Sequence, residues 1–180
     1  MVEVGVLPHD DDLVQLLRRK EQKEMVTQVK CVDGEFIETS EDERREQLEK
    51  YHIGAFSFTE GEIEVIDRYF PKDKTCNWTA TIVRYSDLHP KSVGIHRDMD
   101  GDASKMALLV YLENTKEGGE LRLHGNGEEP VHVSASRVID TRPTDKGLVY
   151  VKFAANEWHK ALDIAPGGVK LVVVLTAFPR

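Results

Sequence analysis

The pattern of hydrophobic and polar positions divides the chain into two parts, which meet near residue 76. In the first part polar and charged residues predominate, and the apolar residues recur at helical spacing, as Leu13, Leu16 and Leu17 do behind an acidic triplet. In the second part, short runs rich in β-branched and aromatic residues alternate with turns of Gly, Asp and Asn. The pattern predicts an α+β chain in which helices precede an all-β core.

Residues 1–75 are expected to form a mainly helical support for that core. Each predicted helix opens on polar residues suited to an N-cap, and the second and third open on capping boxes. The third ends before Pro71, because proline has no N–H to continue the helical hydrogen bonds. The expected helices cover about Asp12–Val29, Ser40–Tyr51 and Thr59–Phe70.

Residues 77–180 contain many short strand-like runs at nearly regular spacing, which is typical of a sandwich or a barrel. Turn sequences such as Gly125-Asn126-Gly127 separate the runs. The predicted strands are Trp78–Tyr85, Val93–His96, Lys105–Leu112, Glu120–His124, Val131–Ser134, Arg137–Thr141, Leu148–Phe153, Trp158–Ile164 and Val169–Phe178.

Length and composition limit the possible functions. The chain has 180 residues, which fits one domain, residues 1–180. Its formal net charge of -8 argues against a surface that follows nucleic-acid phosphates, so we expect no nucleic acid as partner. No apolar run reaches the length of a membrane span, and the N-terminus lacks the pattern of a secretory signal. Two cysteines do not make a disulfide framework, so we expect an intracellular, cytoplasmic protein.

The most specific chemical signal is the pair His96 and Asp98. Residues two apart on an extended chain point to the same face, so the imidazole and the carboxylate can bind one metal ion. Two ligands are too few for a working site. His159 is a candidate for the third, because it begins a predicted strand directly after a loop. Two histidines and one carboxylate form the facial triad of non-haem Fe(II) oxygenases, which leaves three coordination positions open.

In this order the motifs resemble the 2-oxoglutarate- and Fe(II)-dependent dioxygenases, in particular the prolyl 4-hydroxylase-like branch. The resemblance covers Ile82–Pro179 and includes the ordered set His96-Arg97-Asp98, His159 and Lys170. A Tyr before the His-x-Asp motif, a Gly-Gly-Glu turn and a Pro-x-x-x-Gly turn also match: Tyr85, Gly118–Glu120 and Pro143–Gly147. The resemblance implies a double-stranded β-helix, or jelly-roll, core in residues 77–180 with the N-terminal helices as support.

Lys170 has a physical reason of its own to bind an anion. It precedes Leu171–Leu175, one of the most apolar runs of the chain, and a buried ammonium without a partner is costly. In the resemblance its partner is the distal carboxylate of 2-oxoglutarate, with the Tyr85 hydroxyl as a second donor. Thr176 shares a strand face with Lys170 and is expected to line the same pocket.

The resemblance implies an enzyme that uses Fe(II), O2 and 2-oxoglutarate, with ascorbate as a reductant. It would hydroxylate an unactivated C–H bond of a peptidyl proline or a small-molecule substrate and release succinate and CO2. The sequence does not decide between peptide and small-molecule substrates, and it leaves the oligomeric state open. Arg122 and Trp158 either contact substrate at the barrel mouth or pack within their strands.

Two other functions are compatible with a barrel of this kind. One is a non-catalytic double-stranded β-helix module that binds a metal or a ligand. The other is a cupin-like barrel with Zn²⁺ or Mn²⁺, which would have no specific use for Lys170. A binding module has no need of three metal ligands and a buried cation together, so we favour the dioxygenase.

Overall fold

The protein is described from a computed structural model, which covers residues 2–23, 26–32, 35–40, 42, 51–69, 76–85, 94–98, 101–115, 117–128, 130 and 137–179. The helices of these residues are α1 (Asp12–Lys23) and α2 (Glu60–Asp67). The strands are β1 (Glu3–Leu7), β2 (Val26–Val32), β3 (Glu35–Glu38), β4 (Tyr51–Phe56), β5 (Cys76–Tyr85), β6 (Met106–Asn114), β7 (Leu121–Gly125), β8 (Arg137–Ile139), β9 (Leu148–Ala154), β10 (Trp158–Ala161) and β11 (Lys170–Pro179).

The strands form two antiparallel sheets. The major sheet has eight strands in the order β1-β9-β6-β11-β5-β4-β2-β3, and the minor sheet has three in the order β10-β7-β8. An isolated antiparallel bridge between His96 and His159 extends the minor sheet beyond β10. Two facing antiparallel sheets connected in this order are consistent with the expected jelly roll.

Strand β11 lies in the middle of the major sheet and is covered on both faces. Leu171, Val173 and Leu175 belong to one core, where they pack with Leu13 and Leu17 of α1. Residues of the opposite face, such as Val172, belong to a second core together with the inward side chains of the minor sheet. A strand that is buried on both faces needs apolar residues at successive positions. This explains why β11 is one of the most apolar runs of the sequence.

The prediction that residues 1–75 are mainly helical is wrong for the part of this range that the structure describes. There the chain forms four strands, β1 to β4, and all four belong to the major sheet. Helix α1 begins at Asp12 as expected but ends at Lys23, and the β-branched segment that begins at Val26 pairs with β4. In this segment, pairing with strands distant in sequence overrides the local helical spacing.

The third expected helix is confirmed as α2. Glu62 accepts a hydrogen bond from the backbone N–H of Thr59 at 2.9 Å, as a capping box requires. Most of the second expected helix, Ser40–Tyr51, lies outside the described residues, although Tyr51 itself begins β4. Both helices of the described residues fall short of the length and apolar character that a membrane crossing requires.

The expected strands of the second part are largely confirmed. Six of them correspond to β5, β6, β7, β8, β9 and β11 with small shifts at their ends, and β10 is shorter than predicted. Of the expected strand Val93–His96, only His96 makes a bridge, and Val93 lies outside the described residues. The expected strand Val131–Ser134 also lies outside them.

Candidate metal centre and its cavity

The structure brings His96, Asp98 and His159 together. One potential ligand atom of each lies within 4.8 Å of those of the other two. The Nε2 atoms of His96 and His159 are both 3.8 Å from the Asp98 carboxylate, each facing a different oxygen. These separations suit three ligands that surround one ion.

Backbone pairing explains how the chain joins residues more than sixty positions apart. His96 and His159 exchange two backbone hydrogen bonds, with N···O distances of 3.0 and 2.9 Å. Directly opposed residues place their side chains on the same face of a sheet, and the two rings lie 4.3 Å apart. Asp98 is two residues from His96 and therefore reaches the same face. The triad thus follows from one register at the edge of the minor sheet.

Backbone carbonyl groups orient both imidazoles. Nδ1 of His96 lies 2.8 Å from the oxygen of Gly94, and Nδ1 of His159 lies 2.9 Å from the oxygen of Glu157. A carbonyl only accepts hydrogen bonds, so each Nδ1 carries the proton and each Nε2 presents its lone pair. Burial also lowers the pKa of His159, against the opposing effect of the Asp98 charge, which favours the neutral ring that metal ions bind.

The surroundings of Asp98 fit a site for a cation. Its Oδ2 atom is buried and accepts no hydrogen bond from the described residues. A buried carboxylate oxygen without a donor is costly unless a cation lies beside it. The two imidazole nitrogens and this carboxylate fit Fe(II), which prefers such a mixed set of nitrogen and oxygen ligands.

The triad opens into a cavity of about 270 Å³ between the two sheets. All six residues that the sequence indicated as site residues line this cavity, namely the three candidate metal ligands and three residues of the major sheet. The lining residues are Ile53, Thr81, Val83, Tyr85, His96, Asp98, Leu109, Tyr111, Leu121, His159, Ala161, Lys170, Val172, Val174 and Thr176.

Lys170 is fully buried in the cavity wall. Its Nζ atom donates a hydrogen bond to the carbonyl of Gly119 at 3.2 Å and lies 4.3 Å from the centre of the Tyr85 ring. No carboxylate of the described residues lies within 4 Å of it. Burial lowers the pKa of Lys170 to about 8, while the charges of Glu120 and Asp163 oppose that change. Lys170 is therefore a buried cation that faces a cavity and forms no ion pair with a carboxylate in the part of the chain that the structure describes.

The Gly118-Gly119 turn makes room for this lysine. Both residues have positive φ angles, 88° and 72°, which favour glycine. A Cβ atom on Gly118 would lie 2.3 Å from the carbonyl oxygen of Asp163, and one on Gly119 would lie 3.0 Å from Cδ of Lys170. The glycine pair is thus required by the close approach of the turn to its surroundings.

Thr176 lines the same cavity but lies far from Lys170. The two residues are six positions apart on β11, which is roughly 20 Å along a strand. A five-carbon dicarboxylate is shorter than three residues of strand, about 10 Å. The contact of Thr176 with the co-substrate stays a prediction, and the separation favours a contact with a second substrate at the other end of the cavity.

Tyr111 is a cavity residue that the sequence did not single out. It is almost fully buried on β6, opposite Val172 of β11. Burial raises the pKa of Tyr111, and the charges of Tyr85 and Asp98 raise it further. Burial likewise raises the pKa of Tyr85 to about 12. Both hydroxyl groups therefore stay protonated and can donate hydrogen bonds. Within the apolar sequence of β6, Tyr111 cannot be distinguished from an ordinary core aromatic.

Arg122 and Trp158 are absent from the residues that line the cavity. Arg122 alternates with two inward leucines of β7 and so lies on the opposite face of the minor sheet. The ring of Trp158 lies 4.4 Å from the guanidinium group of Arg97, and its Nε1 donates to the carbonyl of Gly127 at 3.0 Å. This cation–π contact links the His96–Asp98 segment to β10 on the outer side.

Comparison with known proteins supports the fold. No family profile matches the chain, and no curated protein matches its sequence. Among solved structures, a 2OG-Fe(II) oxygenase family oxidoreductase from Burkholderia pseudomallei has a TM-score of 0.56 at 10% identity, over 97% of this chain and 84% of that one. A prolyl-4-hydroxylase from Pseudomonas putida has a TM-score of 0.55 at 15% identity, over 99% and 92% of the two chains.

A third similar structure is a prolyl hydroxylase from Trichoplax adhaerens in complex with a hypoxia inducible factor peptide fragment. Its TM-score is 0.53 at 13% identity, over 99% of this chain and 83% of that one. All three similarities extend over nearly the whole of this chain, so they include both the N-terminal strands and the two sheets of the core. The chain therefore has the fold of the 2-oxoglutarate- and Fe(II)-dependent oxygenases, and the expected double-stranded β-helix is confirmed.

Proposed function

We propose that the protein is a non-haem Fe(II)- and 2-oxoglutarate-dependent dioxygenase. It hydroxylates an unactivated C–H bond of a second substrate and releases succinate and CO2, with ascorbate as a reductant. The observation that carries the proposal is the single cavity that joins a His96–Asp98–His159 triad to the buried cation of Lys170. Either feature alone fits other functions, whereas together they match a keto acid with a distal carboxylate.

The described residues divide the work of the site between them. His96, Asp98 and His159 would hold Fe(II), which when bound supplies open coordination positions for the keto acid and O2. The Lys170 ammonium and the Tyr85 hydroxyl would bind the distal carboxylate through charge-assisted hydrogen bonds. The apolar walls around them exclude water from the reacting groups.

The second substrate is proposed to present an uncharged group to the cavity. Apart from the triad and Lys170, the described lining residues carry no charge. Near Thr176 the lining includes Thr81, which lies opposite Val174 in the register of β5 and β11. A proline ring or an aliphatic chain meets this condition. The Trichoplax adhaerens structure holds a peptide fragment, which supports a peptide as one candidate, and a small molecule remains the other.

Anaerobic mixing of the protein with Fe(II) and 2-oxoglutarate tests the proposal. We expect the weak visible charge-transfer band of a keto acid chelated to Fe(II). The variants His96→Ala and Asp98→Ala each remove a ligand and should abolish the band, whereas Arg142→Ala, at an exposed arginine paired with Asp140, should keep it.

Two results would contradict the proposal. Persistence of the band in both ligand variants would place the metal elsewhere. A normal band in the parent protein, without succinate formation when peptides and metabolites are screened under O2, would favour the non-catalytic binding module.

A further inference from the structure

A buried polar cluster joins Lys170 to residues that do not line the cavity. It contains Asn114, Gly119 and Thr141 together with the lysine itself. Lys170 and Thr141 have no exposed surface, and Asn114 is 7% exposed. Buried polar groups of this kind are stable only when they satisfy each other. The arrangement of their hydrogen bonds therefore indicates what the cluster does.

The hydrogen bonds of the cluster lead to the carbonyl group of Gly119. Nδ2 of Asn114 donates to the hydroxyl of Thr141 at 3.2 Å, and that hydroxyl donates to the carbonyl of Gly119 at 3.0 Å. The same carbonyl accepts the hydrogen bond from Lys170 Nζ at 3.2 Å. Asn114 Nδ2 also lies 3.4 Å from the carbonyl of Gly118. Two donors therefore converge on the Gly119 carbonyl and fix its direction.

Three separate parts of the fold meet in the cluster. Asn114 ends β6 and is paired with Lys170 in the register of β6 and β11. Gly119 belongs to the turn before β7, and Thr141 follows β8. A Cβ atom on Gly119 would lie 3.0 Å from Lys170 and 3.5 Å from Asn114, so both side chains border the same narrow space. Lys170 thus has little freedom to move once the carbonyl is fixed.

We propose that Thr141 and Asn114 are positioning residues for anion binding, because they hold the Lys170 ammonium through a neutral carbonyl group. This inference rests on the proposed function, since it assumes that Lys170 binds the co-substrate. A carboxylate in place of the carbonyl would also fix the lysine, but it would neutralise the charge that the ligand needs. The cluster contains no carboxylate, so it orients the ammonium and leaves its charge for the anion.

The variant Thr141→Val tests whether Thr141 helps to orient the Lys170 ammonium group. Valine has nearly the same shape but cannot donate to the Gly119 carbonyl, so the Kd of 2-oxoglutarate should rise about three- to tenfold, the range that one hydrogen bond controls. The Kd of Fe(II) should not change. Thr141→Ser should restore 2-oxoglutarate binding, and Thr39→Val, at a buried threonine outside the cavity lining, should leave it unchanged.

The variant Asn114→Asp tests whether the cluster must be free of negative charge. The Oδ1 atom of Asn114 is buried and accepts no hydrogen bond from the described residues, and the substitution converts this side chain into an anion beside Lys170. The internal carboxylate should compete with the ligand and raise the Kd of 2-oxoglutarate more than tenfold, again without loss of Fe(II) affinity. A carboxylate that left 2-oxoglutarate binding intact would overturn the proposal.

A third variant separates this inference from the proposed function. If Lys170→Met leaves 2-oxoglutarate binding unchanged, the assignment of Lys170 fails and this inference fails with it, whereas the proposed function fails only on the Fe(II) band and succinate tests given above. If Lys170→Met weakens binding while Thr141→Val and Asn114→Asp bind like the parent protein, only the positioning role is overturned. Equal losses of Fe(II) and 2-oxoglutarate affinity in Thr141→Val would also overturn it, because they would show a general distortion of the site.

Discussion

Two buried lysines lie on opposite faces of the major sheet and have different surroundings. Lys20 of α1 is 2% exposed, and its Nζ atom is 2.8 Å from the carboxylate of Glu62 on α2. Lys170 of β11 is 0% exposed, and among the described residues its ammonium group contacts the Gly119 carbonyl and the Tyr85 ring. Lys20 thus forms an ion pair within the fold, whereas Lys170 forms none with the described residues.

The difference separates a structural ion pair from a binding site. Burial opposes ionisation of Glu62, but hydrogen bonds from Lys20 and from the Thr59 backbone more than compensate and lower its pKa to about 2. Burial of Lys170 is not compensated in this way, and its pKa falls to about 8. A fold that tolerates an uncompensated buried cation at a cavity wall gains from it only when an anion binds there.

Matched substitutions to methionine should show the largest effects. Methionine is similar in length to lysine but carries no charge. Lys170→Met should weaken 2-oxoglutarate binding about 10- to 150-fold, the range of a charge-assisted hydrogen bond, and should change stability little because it removes a buried charge. Lys20→Met should leave binding unchanged and cost about 1–3 kcal/mol in the free energy of unfolding, because Glu62 loses the shorter of its two ion pairs with described residues and keeps only that with Arg19.

Calorimetric titration with 2-oxoglutarate and urea unfolding of both variants measure these two quantities. The proposed difference between the two lysines would be contradicted if Lys20→Met weakened 2-oxoglutarate binding. It would also be contradicted if Lys170→Met destabilised the protein as much as Lys20→Met does.

A change of pH should have a smaller effect on 2-oxoglutarate binding and on stability. The folded pKa of Lys170, about 8, lies below its ordinary value of 10.5. Between these two pH values the unfolded chain binds more protons at Lys170 than the folded chain does. The contribution of Lys170 to the free energy of unfolding therefore rises with pH. Binding of 2-oxoglutarate needs the ammonium form, so its Kd should rise above pH 8, by at most tenfold per pH unit. Glu62, the partner of Lys20, has a pKa of about 2 and stays ionised throughout this range.

Binding measured at pH 7, 8 and 9 tests this expectation, with Lys170→Met as the control, since this variant has no titrating group at the position. An equal loss of affinity in the variant would assign the pH dependence to another group.

Local patterns in the sequence predicted most of the β core and two members of the triad, and the family resemblance added His159. The His-x-Asp spacing placed two ligands on one face of an extended segment, and the buried Lys170 followed from its position before an apolar run. The N-terminal strands were missed, although the alternation of Val2, Val4 and Val6 is a strand signal that could have identified β1. Its partner β9 lies some 140 residues away, which local patterns cannot show.

The surroundings of Lys170 could not be predicted for the same reason. Asn114, Gly119 and Thr141 come from three parts of the chain, and none of them has a sequence pattern that indicates a hydrogen bond to another. Tyr111 reaches the cavity from β6, an apolar strand that is buried on both faces and contributes Leu109 and Tyr111 to the cavity lining. Such contacts depend on the register between strands, which sequence alone leaves undetermined.

The central claim is that Lys170 recognises the distal carboxylate of a keto acid bound at the triad. The most direct test compares 2-oxoglutarate with 2-oxopentanoate, which has a methyl group in place of that carboxylate, in anaerobic titrations of the Fe(II) protein. The parent protein should prefer 2-oxoglutarate about 10- to 150-fold, and Lys170→Met should bind both compounds with similar, weak affinity. A preference that persists undiminished in Lys170→Met would contradict the claim.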